Sequence, residues 1–180
     1  MDNSRSRKLL KKYSIMPSKS LWLTTMMFVF CSMSYGGQIG GKNFPDGPDM
    51  RRTPGALCES ETYRYPSKIR YCKRNVDSKL KNKIITEYDK EFDFDIQKMP
   101  RGDFKIDHFI PLSIGGANAE GNLWPQHKTV YKYSDPLESH VANLIATDKI
   151  SQDEAIRVIK ECKLNLDRCA DLQHYLEGLY

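Results

Sequence analysis

Residues 106–127 read Ile-Asp-His-Phe-Ile-Pro-Leu-Ser-Ile-Gly-Gly-Ala-Asn-Ala-Glu-Gly-Asn-Leu-Trp-Pro-Gln-His, and they carry the strongest structural signal in the chain. A first short apolar strand ends at Pro111, and a glycine pair with Asn118 then supplies turn-forming residues. A second short strand follows the turn. The strand residues are Ile106, Phe109 and Ile110 on the first strand and Asn122, Leu123 and Trp124 on the second. The pattern predicts a tight β-hairpin.

The predicted hairpin brings polar side chains of a useful kind together. Asp107 and His108 lie on the first strand near Asn122 on the second, and His127 follows at the exit towards a helix. Carboxylate and imidazole groups bind the divalent cations that assist phosphodiester cleavage, so we expect Asp107 and His127 to be metal ligands. An imidazole has a pKa of about 6.5, which suits His108 to deprotonate water. The amide oxygen of Asn122 would accept from the other imidazole nitrogen and fix the tautomer, whereas Asn118 is expected only to close the turn.

These residues carry a family resemblance. The Asp-His pair, the glycine turn and the run Asn-Leu-Trp-Pro-Gln-His resemble the HNH endonuclease motif, in particular that of small secreted bacterial proteins with an HNH-like domain. Residues 53–58, 63–76 and 134–138 also resemble segments of that group, so that the similar region spans roughly residues 53–160. The resemblance implies a ββα-metal (HNH-like) hairpin-plus-helix core. With the additional helices and the disulfides that the rest of the sequence predicts, we expect an α+β chain.

The same resemblance implies roles for single residues. Asp107 is the expected metal ligand, His108 the general base and Asn122 the orienting residue, and a residue on the helix completes the metal site. His127 follows Asn122 more closely than the final histidine of HNH enzymes follows their asparagine. The alternatives for this ligand lie further along the chain, at Asp135, Glu138 and His140.

Asp135-Pro-Leu-Glu138 also has an interpretation that needs no metal. Asp at the N-cap, Pro at the first helical position and Glu at the third form a capping box, which predicts a helix that begins at this point. The sequence leaves both interpretations of Asp135 and Glu138 open.

The expected function is a secreted metal-dependent endonuclease that hydrolyses phosphodiester bonds of DNA or RNA. Mg²⁺ is the expected ion, with Mn²⁺ or Zn²⁺ as alternatives. The expected partners are a nucleic-acid substrate and an immunity protein that would restrain the enzyme, and nothing in the chain indicates an oligomer, so we expect a monomer. The alternative function is a non-catalytic secreted or envelope binding protein that keeps an HNH-like scaffold, because a scaffold can outlast its chemistry.

The first 34 residues have the features of a signal peptide. An apolar run at residues 21–33 follows a basic stretch, and small residues for cleavage come at Ser32-Met33-Ser34. Such a run is shorter than the ~20 residues of a comfortable transmembrane span. We expect a secreted or periplasmic protein without stable membrane association after cleavage, whose translation starts at Met1 or at Met16.

The distribution of charge along the chain is more informative about nucleic-acid binding than the net charge. The whole chain has a formal charge of +5, but residues 35–180 carry 22 basic and 22 acidic side chains. Residues 51–90 hold eleven Lys or Arg against five Asp or Glu, and residues 91–180 hold ten against fifteen. Basic side chains of the first segment could bind nucleic-acid phosphates or could form an ordinary solvated face. The candidates for phosphate binding are Arg64, Arg70, Lys73 and Arg74.

Four cysteines remain once Cys31 leaves with the signal peptide. Four cysteines allow three pairings, and close spacing favours Cys58 with Cys72 and Cys162 with Cys169. The spacing within each pair differs from the two-residue spacing of zinc knuckles, which favours disulfides over a metal site. Disulfides are typical of an oxidising compartment, in agreement with export.

The remaining pattern predicts the organisation of the mature chain. Residues 35–57, rich in Gly, Pro and Asp, are expected to form a flexible leader. Residues 58–161 are expected to form the HNH-like nuclease domain and residues 162–180 a short helical tail with its own disulfide. Apolar residues at four-residue intervals predict a helix over Lys79–Phe92, and Ser151 with Glu154 predicts the start of another.

Overall fold

The computed structural model describes residues 43–179, so the predicted signal peptide lies outside the described residues. The described chain is α+β, with two small antiparallel strand pairs, four α-helices and two disulfides. The strands are β1 (Tyr63–Arg64), β2 (Ile69–Arg70), β3 (Phe104–His108) and β4 (Leu123–His127), and the helices are α1 (Ser78–Phe92), α2 (Lys128–Ala146), α3 (Gln152–Leu164) and α4 (Cys169–Glu177). The α+β prediction is confirmed.

The predicted strand pair forms from β3 and β4, but the hairpin is not tight, because residues 109–122 with two short 3₁₀ helices connect the strands, and Asn122 lies in the second of these helices. The strands pair antiparallel, with Phe104 opposite His127 and His108 opposite Leu123. The first strand begins and ends two residues earlier than its apolar residues suggested, so Phe109 and Ile110 start the connecting loop, where both are buried. The loop returns sharply at Gly116, where a Cβ atom would lie only 1.8 Å from the carbonyl oxygen of Ile110. Only glycine fits this close approach of two backbone segments.

Helix α2 begins earlier than the capping box suggested. It starts at Lys128, directly after β4, and carries Pro136 within it. The predicted N-cap at Asp135 is therefore wrong, because buried residues recur at helical spacing from Val130 onwards and extend the helix upstream of the proline. The helix is capped instead by His127, whose Nδ1 accepts from the backbone N–H of Thr129 at 3.3 Å.

Two predictions about the other helices are confirmed. Helix α1 covers the predicted Lys79–Phe92 with one additional residue, and Ser151 caps α3 by accepting from the backbone N–H of Glu154 at 3.1 Å. The predicted boundary between residues 161 and 162 is different, because it falls inside α3. Helix α4 then packs against α2 and buries Leu172 and Leu176, so the C-terminal segment belongs to the main core and is not a separate tail.

Residues 43–57 pack on the folded chain where a flexible leader was expected. Phe44 stacks on the imidazole of His127 with 4.0 Å between ring centres. The hydroxyl of Thr53 is buried and lies 2.7 Å from the hydroxyl of Tyr88. Contacts of this kind order a Gly- and Pro-rich segment that has little apolar periodicity of its own.

Both disulfides have the predicted pairing, Cys58 with Cys72 and Cys162 with Cys169. They indicate an oxidising environment. Between residues 43 and 179, no helix combines the length and the apolar composition needed to cross a bilayer.

Removal of the Cys58–Cys72 bond should destabilise the protein. Its cysteines are separated by 14 residues, and a loop of about that length is worth about 3 kcal/mol in the chain-entropy account. We expect the Cys58→Ser, Cys72→Ser double variant to lose about that much free energy of unfolding, measured by urea denaturation of oxidised protein. An unchanged midpoint and slope would contradict this expectation.

Candidate functional site

The strand register separates the predicted site residues into two groups. Successive side chains of a strand point to opposite faces, so Asp107 and His108 face opposite ways on β3. Phe104 pairs with His127, which puts His127 on the face of Phe104 and His108. Asp107 and His127, the two expected metal ligands, therefore lie on opposite faces of the hairpin.

His108 is held by an asparagine that was expected only to close a turn. The Nε2 atom of His108 lies 3.1 Å from Oδ1 of Asn118. The Nδ2 group of the same amide donates to the carbonyl of Lys73 at 2.8 Å, which leaves its oxygen for the imidazole. An amide oxygen only accepts, so Nε2 carries the hydrogen, and Nδ1 of the neutral ring has the free lone pair.

The unprotonated nitrogen of His108 accepts a hydrogen bond from a cation. The Nη2 atom of Arg74 lies 3.5 Å from Nδ1 of His108. Arg74 is exposed, whereas His108 is only 2% exposed. An exposed arginine beside a buried base is a combination that can bind an anionic group and remove a proton near it.

The environment keeps this imidazole neutral. Burial lowers the pKa of His108 below its usual value of 6.5, and the positive charges of Arg74 and Lys163 lower it further. The hydrogen bond to Asn118 and the charge of Asp107 act in the opposite direction without reversing the shift. The neutral, proton-accepting form of His108 therefore prevails at neutral pH.

Titration of His108 tests this arrangement. We expect its pKa to lie below 6.5 and to rise in Arg74→Ala, because the variant removes a nearby positive charge. Long-range ¹H–¹⁵N spectra recorded against pH, with the His108 signals assigned by their loss in His108→Ala, measure both the pKa and the tautomer. A pKa at or above 6.5, or a neutral ring with its hydrogen on Nδ1, would contradict the geometry.

Asn122 has a different role from the expected one. Its Nδ2 group donates to the carbonyls of Ile110 and Ala117, both at 2.9 Å, and its Oδ1 accepts from the backbone N–H of Ile110 at 2.8 Å. The predicted bond to the imidazole is wrong, because these three bonds use the buried amide to close the loop between β3 and β4. Asn118 supplies the imidazole with the amide oxygen that was predicted from Asn122.

The carboxylate of Asp107 is paired with Lys163, for which the sequence predicted no role. The Nζ atom of Lys163 lies 2.8 Å from Oδ2 of Asp107, 2.6 Å from Oε1 of Glu138 and 2.6 Å from the carbonyl oxygen of His108. Lys163 is 0% exposed. Its ammonium group thus joins α3 to β3 and α2 within the core.

In this buried group, Asp107–Lys163–Glu138, the lysine charge favours the charged form of each carboxylate, whereas the charge of Asp107 disfavours that of Glu138. Burial alone would lower the pKa of Lys163, but the charges of Asp107 and Glu138 raise it. Burial would likewise raise the pKa of Asp107, but the charges of Lys163 and Lys105 lower it. Burial raises the pKa of Glu138. Asp107 is therefore the carboxylate that compensates the lysine most firmly.

A sequence signal for Lys163 was present. Ala155, Ile159 and Lys163 follow one another at four-residue intervals along α3, and both apolar residues are fully buried. A lysine that continues an apolar helical face is expected to be buried, and a buried lysine needs a carboxylate partner.

The other expected metal ligands also have partners of their own. His127 stacks on Phe44, and its Nδ1 lies 2.7 Å from the hydroxyl of Thr129. Lys105 donates to both carboxylate oxygens of Asp135 at 2.8 Å.

Further along α2, Nδ1 of His140 lies 2.9 Å from the amide nitrogen of Gln173. Over residues 43–179, no three His, Cys, Asp or Glu side chains come together in a way suited to hold a metal ion. Asp107 and Glu138 do not fit a divalent cation in this arrangement, because the ammonium of Lys163 already binds both carboxylates.

The four predicted phosphate-binding residues differ in their surroundings, although all are exposed. Arg64 stacks on Tyr71, 3.2 Å from the ring centre. Arg70 donates to the carbonyls of Glu59 and Ser60. Among the four, Arg74 is the one whose guanidinium contacts His108, and the backbone carbonyl of Lys73 helps to position Asn118.

Comparison with known proteins gives no relative from which a function can be transferred. No protein-family model, no curated protein and no solved structure matches this chain.

Proposed function

We propose that the protein is a secreted nuclease that cleaves phosphodiester bonds at His108. The observation that carries the proposal is the buried, neutral imidazole whose free Nδ1 lies 3.5 Å from the guanidinium of the exposed Arg74. A base and a phosphate-binding group are thus adjacent. Asn118 is the positioning residue, because its amide oxygen fixes the tautomer that leaves Nδ1 free.

Each group has a defined task in this proposal. The guanidinium of Arg74 turns outwards to bind a phosphate, since planar arginine is suited to phosphate oxygens. This movement uncovers Nδ1 of His108, which then accepts a proton from the attacking hydroxyl group or water. The three other basic candidates, Arg64, Arg70 and Lys73, are exposed and would contact flanking phosphates.

The ββα-metal assignment belongs to the same proposal. It is supported by the order β3, β4 and α2, by the position of His108 at the end of β3, and by Asn122, which closes the connecting loop. A divalent cation, Mg²⁺ or alternatively Mn²⁺ or Zn²⁺, stays a prediction. No step is assigned to it, because the residues expected to bind it do not fit.

We propose the periplasm or the exterior as the site of action, because two disulfides indicate an oxidising environment. The substrate partner is nucleic acid. A monomer and an inhibitory immunity protein also remain part of the proposal.

A second candidate function is a non-catalytic binding protein that keeps the scaffold. It is favoured by the 2% exposure of His108 and by Lys163, which neutralises Asp107 inside the core. In this alternative, the hydrogen bonds of His108 only stabilise the hairpin.

The two functions are separated by cleavage assays with the oxidised, exported protein. Plasmid DNA and a long RNA are incubated with Mg²⁺, Mn²⁺, Zn²⁺ or EDTA, and products are followed by electrophoresis. Cleavage of either nucleic acid in any of these conditions supports the nuclease. Intact substrates in every condition would reject it in favour of the binding protein.

A further inference from the structure

We infer that the substrate is RNA, cut by attack of its own 2′-hydroxyl group on the adjacent phosphate, without a metal ion. The inference rests on the proposed function and deepens it by naming the substrate class. Three features of the described chain support it: the position of the Lys163 ammonium, the unprotonated Nδ1 of His108, and the guanidinium of Arg74 beside that nitrogen.

The ammonium of Lys163 occupies the position that a cation would take. Three oxygen atoms of the kind that bind hard cations surround its Nζ within 2.8 Å, two from the carboxylates of Asp107 and Glu138 and one from the carbonyl of His108. Because Lys163 is fully buried, its charge stabilises the interior and does not reach a phosphate. The carboxylates of Asp107 and Glu138 consequently share a cation of the protein itself and are unsuited to recruit a metal ion.

The groups that remain for catalysis limit the choice of nucleophile. His108 and Arg74 provide one base and one cation, and neither lowers the pKa of a water molecule as a bound metal ion would. DNA has no hydroxyl group beside its phosphorus, so its cleavage at this site would depend on a water molecule without that activation. RNA carries a hydroxyl group next to the phosphorus, and well-oriented intramolecular reactions reach effective concentrations of about 10⁵–10⁸ M. The 2′-hydroxyl is therefore the nucleophile that this pair of residues can use.

The step is balanced without a further reactant. Nδ1 of His108 takes the proton of the 2′-hydroxyl while Arg74 binds the non-bridging phosphate oxygens. The 2′-oxygen forms a bond to phosphorus and the bond from phosphorus to the 5′-oxygen breaks. The leaving 5′-oxygen takes a proton from water or from the imidazolium. The products are a 2′,3′-cyclic phosphate and a 5′-hydroxyl, and nothing is oxidised or reduced.

The test compares three oligonucleotides of one sequence in EDTA: all-RNA, all-DNA, and RNA with a single 2′-O-methyl group at the main cleavage position. Rates and product ends are measured for wild type, His108→Ala and His174→Ala prepared in parallel. His174 is an exposed histidine on α4, so its variant is matched in chemistry but lies outside the site. Loss of activity in His108→Ala alone would exclude a contaminating ribonuclease.

We expect the all-RNA strand to be cut in EDTA to cyclic phosphate ends, the DNA to stay intact, and the single 2′-O-methyl group to abolish the cut at its position. Cleavage of DNA, or cleavage of RNA that requires a metal and leaves 5′-phosphates, would overturn this inference while the nuclease proposal stands. Failure to cut any strand with or without Mg²⁺, Mn²⁺ or Zn²⁺ would overturn both.

Discussion

Replacing Lys163 with Met is expected to lower the free energy of unfolding by about 3–5 kcal/mol at pH 7, the cost of removing one partner from a buried ion pair. The change keeps a long side chain in the core but leaves Asp107 and Glu138 without their shared cation. Urea denaturation of the wild type and the variant, both oxidised, measures the loss. A loss below about 1 kcal/mol would contradict the assignment of Lys163 as the cation of this cluster.

A compensated variant separates the effect of charge from that of packing. In Lys163→Met with Asp107→Asn and Glu138→Gln, no charge is buried, so much of the lost stability should return. Low pH should also reduce the loss of unfolding free energy in Lys163→Met. Without the lysine, burial raises the pKa of both carboxyls above their unfolded values, so their contribution is present at low pH and is lost as the pH rises through those raised values. The difference from wild type should therefore shrink as the pH falls through the raised values and be smallest below about pH 4, near the unfolded carboxyl values.

Much of the fold could be predicted because its signals are local. The helix at Ser78–Phe92 has regular apolar spacing, Ser151 caps α3 with its own hydroxyl, and the disulfides join cysteines that are close in sequence. Each of these features depends on residues within about four turns of one another or on a short loop. Predicting them did not require knowledge of contacts between residues distant in sequence.

The start of α2 shows why a local signal can be misleading. Asp135-Pro-Leu-Glu138 has the chemistry of a capping box, yet Asp135 binds Lys105 on a neighbouring strand. Pro136 is tolerated within the helix because burial of Val130 and the residues that follow it outweighs one missing backbone bond. Tertiary packing therefore determines where the helix begins, and the local capping signal does not.

The sequence predicted the types of group around His108 but not every residue that supplies them. His108 lies beside an amide oxygen as expected, but the amide belongs to Asn118. The amide of Asn122 is bound instead to the backbone carbonyls of Ile110 and Ala117. The pairing of Lys163 with Asp107 joins residues 56 positions apart. A contact between a strand and a distant helix depends on how the elements pack, which spacing alone does not report.

Replacing His108 with Ala is expected to reduce turnover by a factor on the order of 10² or more, the usual contribution of a positioned general base. The variant keeps the phosphate-binding Arg74 but removes the nitrogen that accepts the proton. Substrate binding should therefore change less than the rate of the chemical step. Asn118→Ala should reduce the rate less, because the imidazole remains and only its fixed tautomer is lost.

A structural explanation of the same loss can be tested directly. His108 is buried, so His108→Ala can also lower stability, and its urea midpoint must be measured beside its activity. His108→Gln provides a second variant that fills more of the space and still cannot act as a base near neutral pH. Equal loss of activity in both variants at temperatures where both are folded would identify the missing proton acceptor as the cause.

Single-turnover cleavage rates of wild type, His108→Ala and His174→Ala, under the condition in which the wild type is most active, determine whether His108 is the base of a nucleic-acid-cleaving site. We expect cleavage by the wild type, a rate at least about 10²-fold lower in His108→Ala, and a wild-type rate in His174→Ala. Cleavage by folded His108→Ala at the wild-type rate would contradict this role of His108.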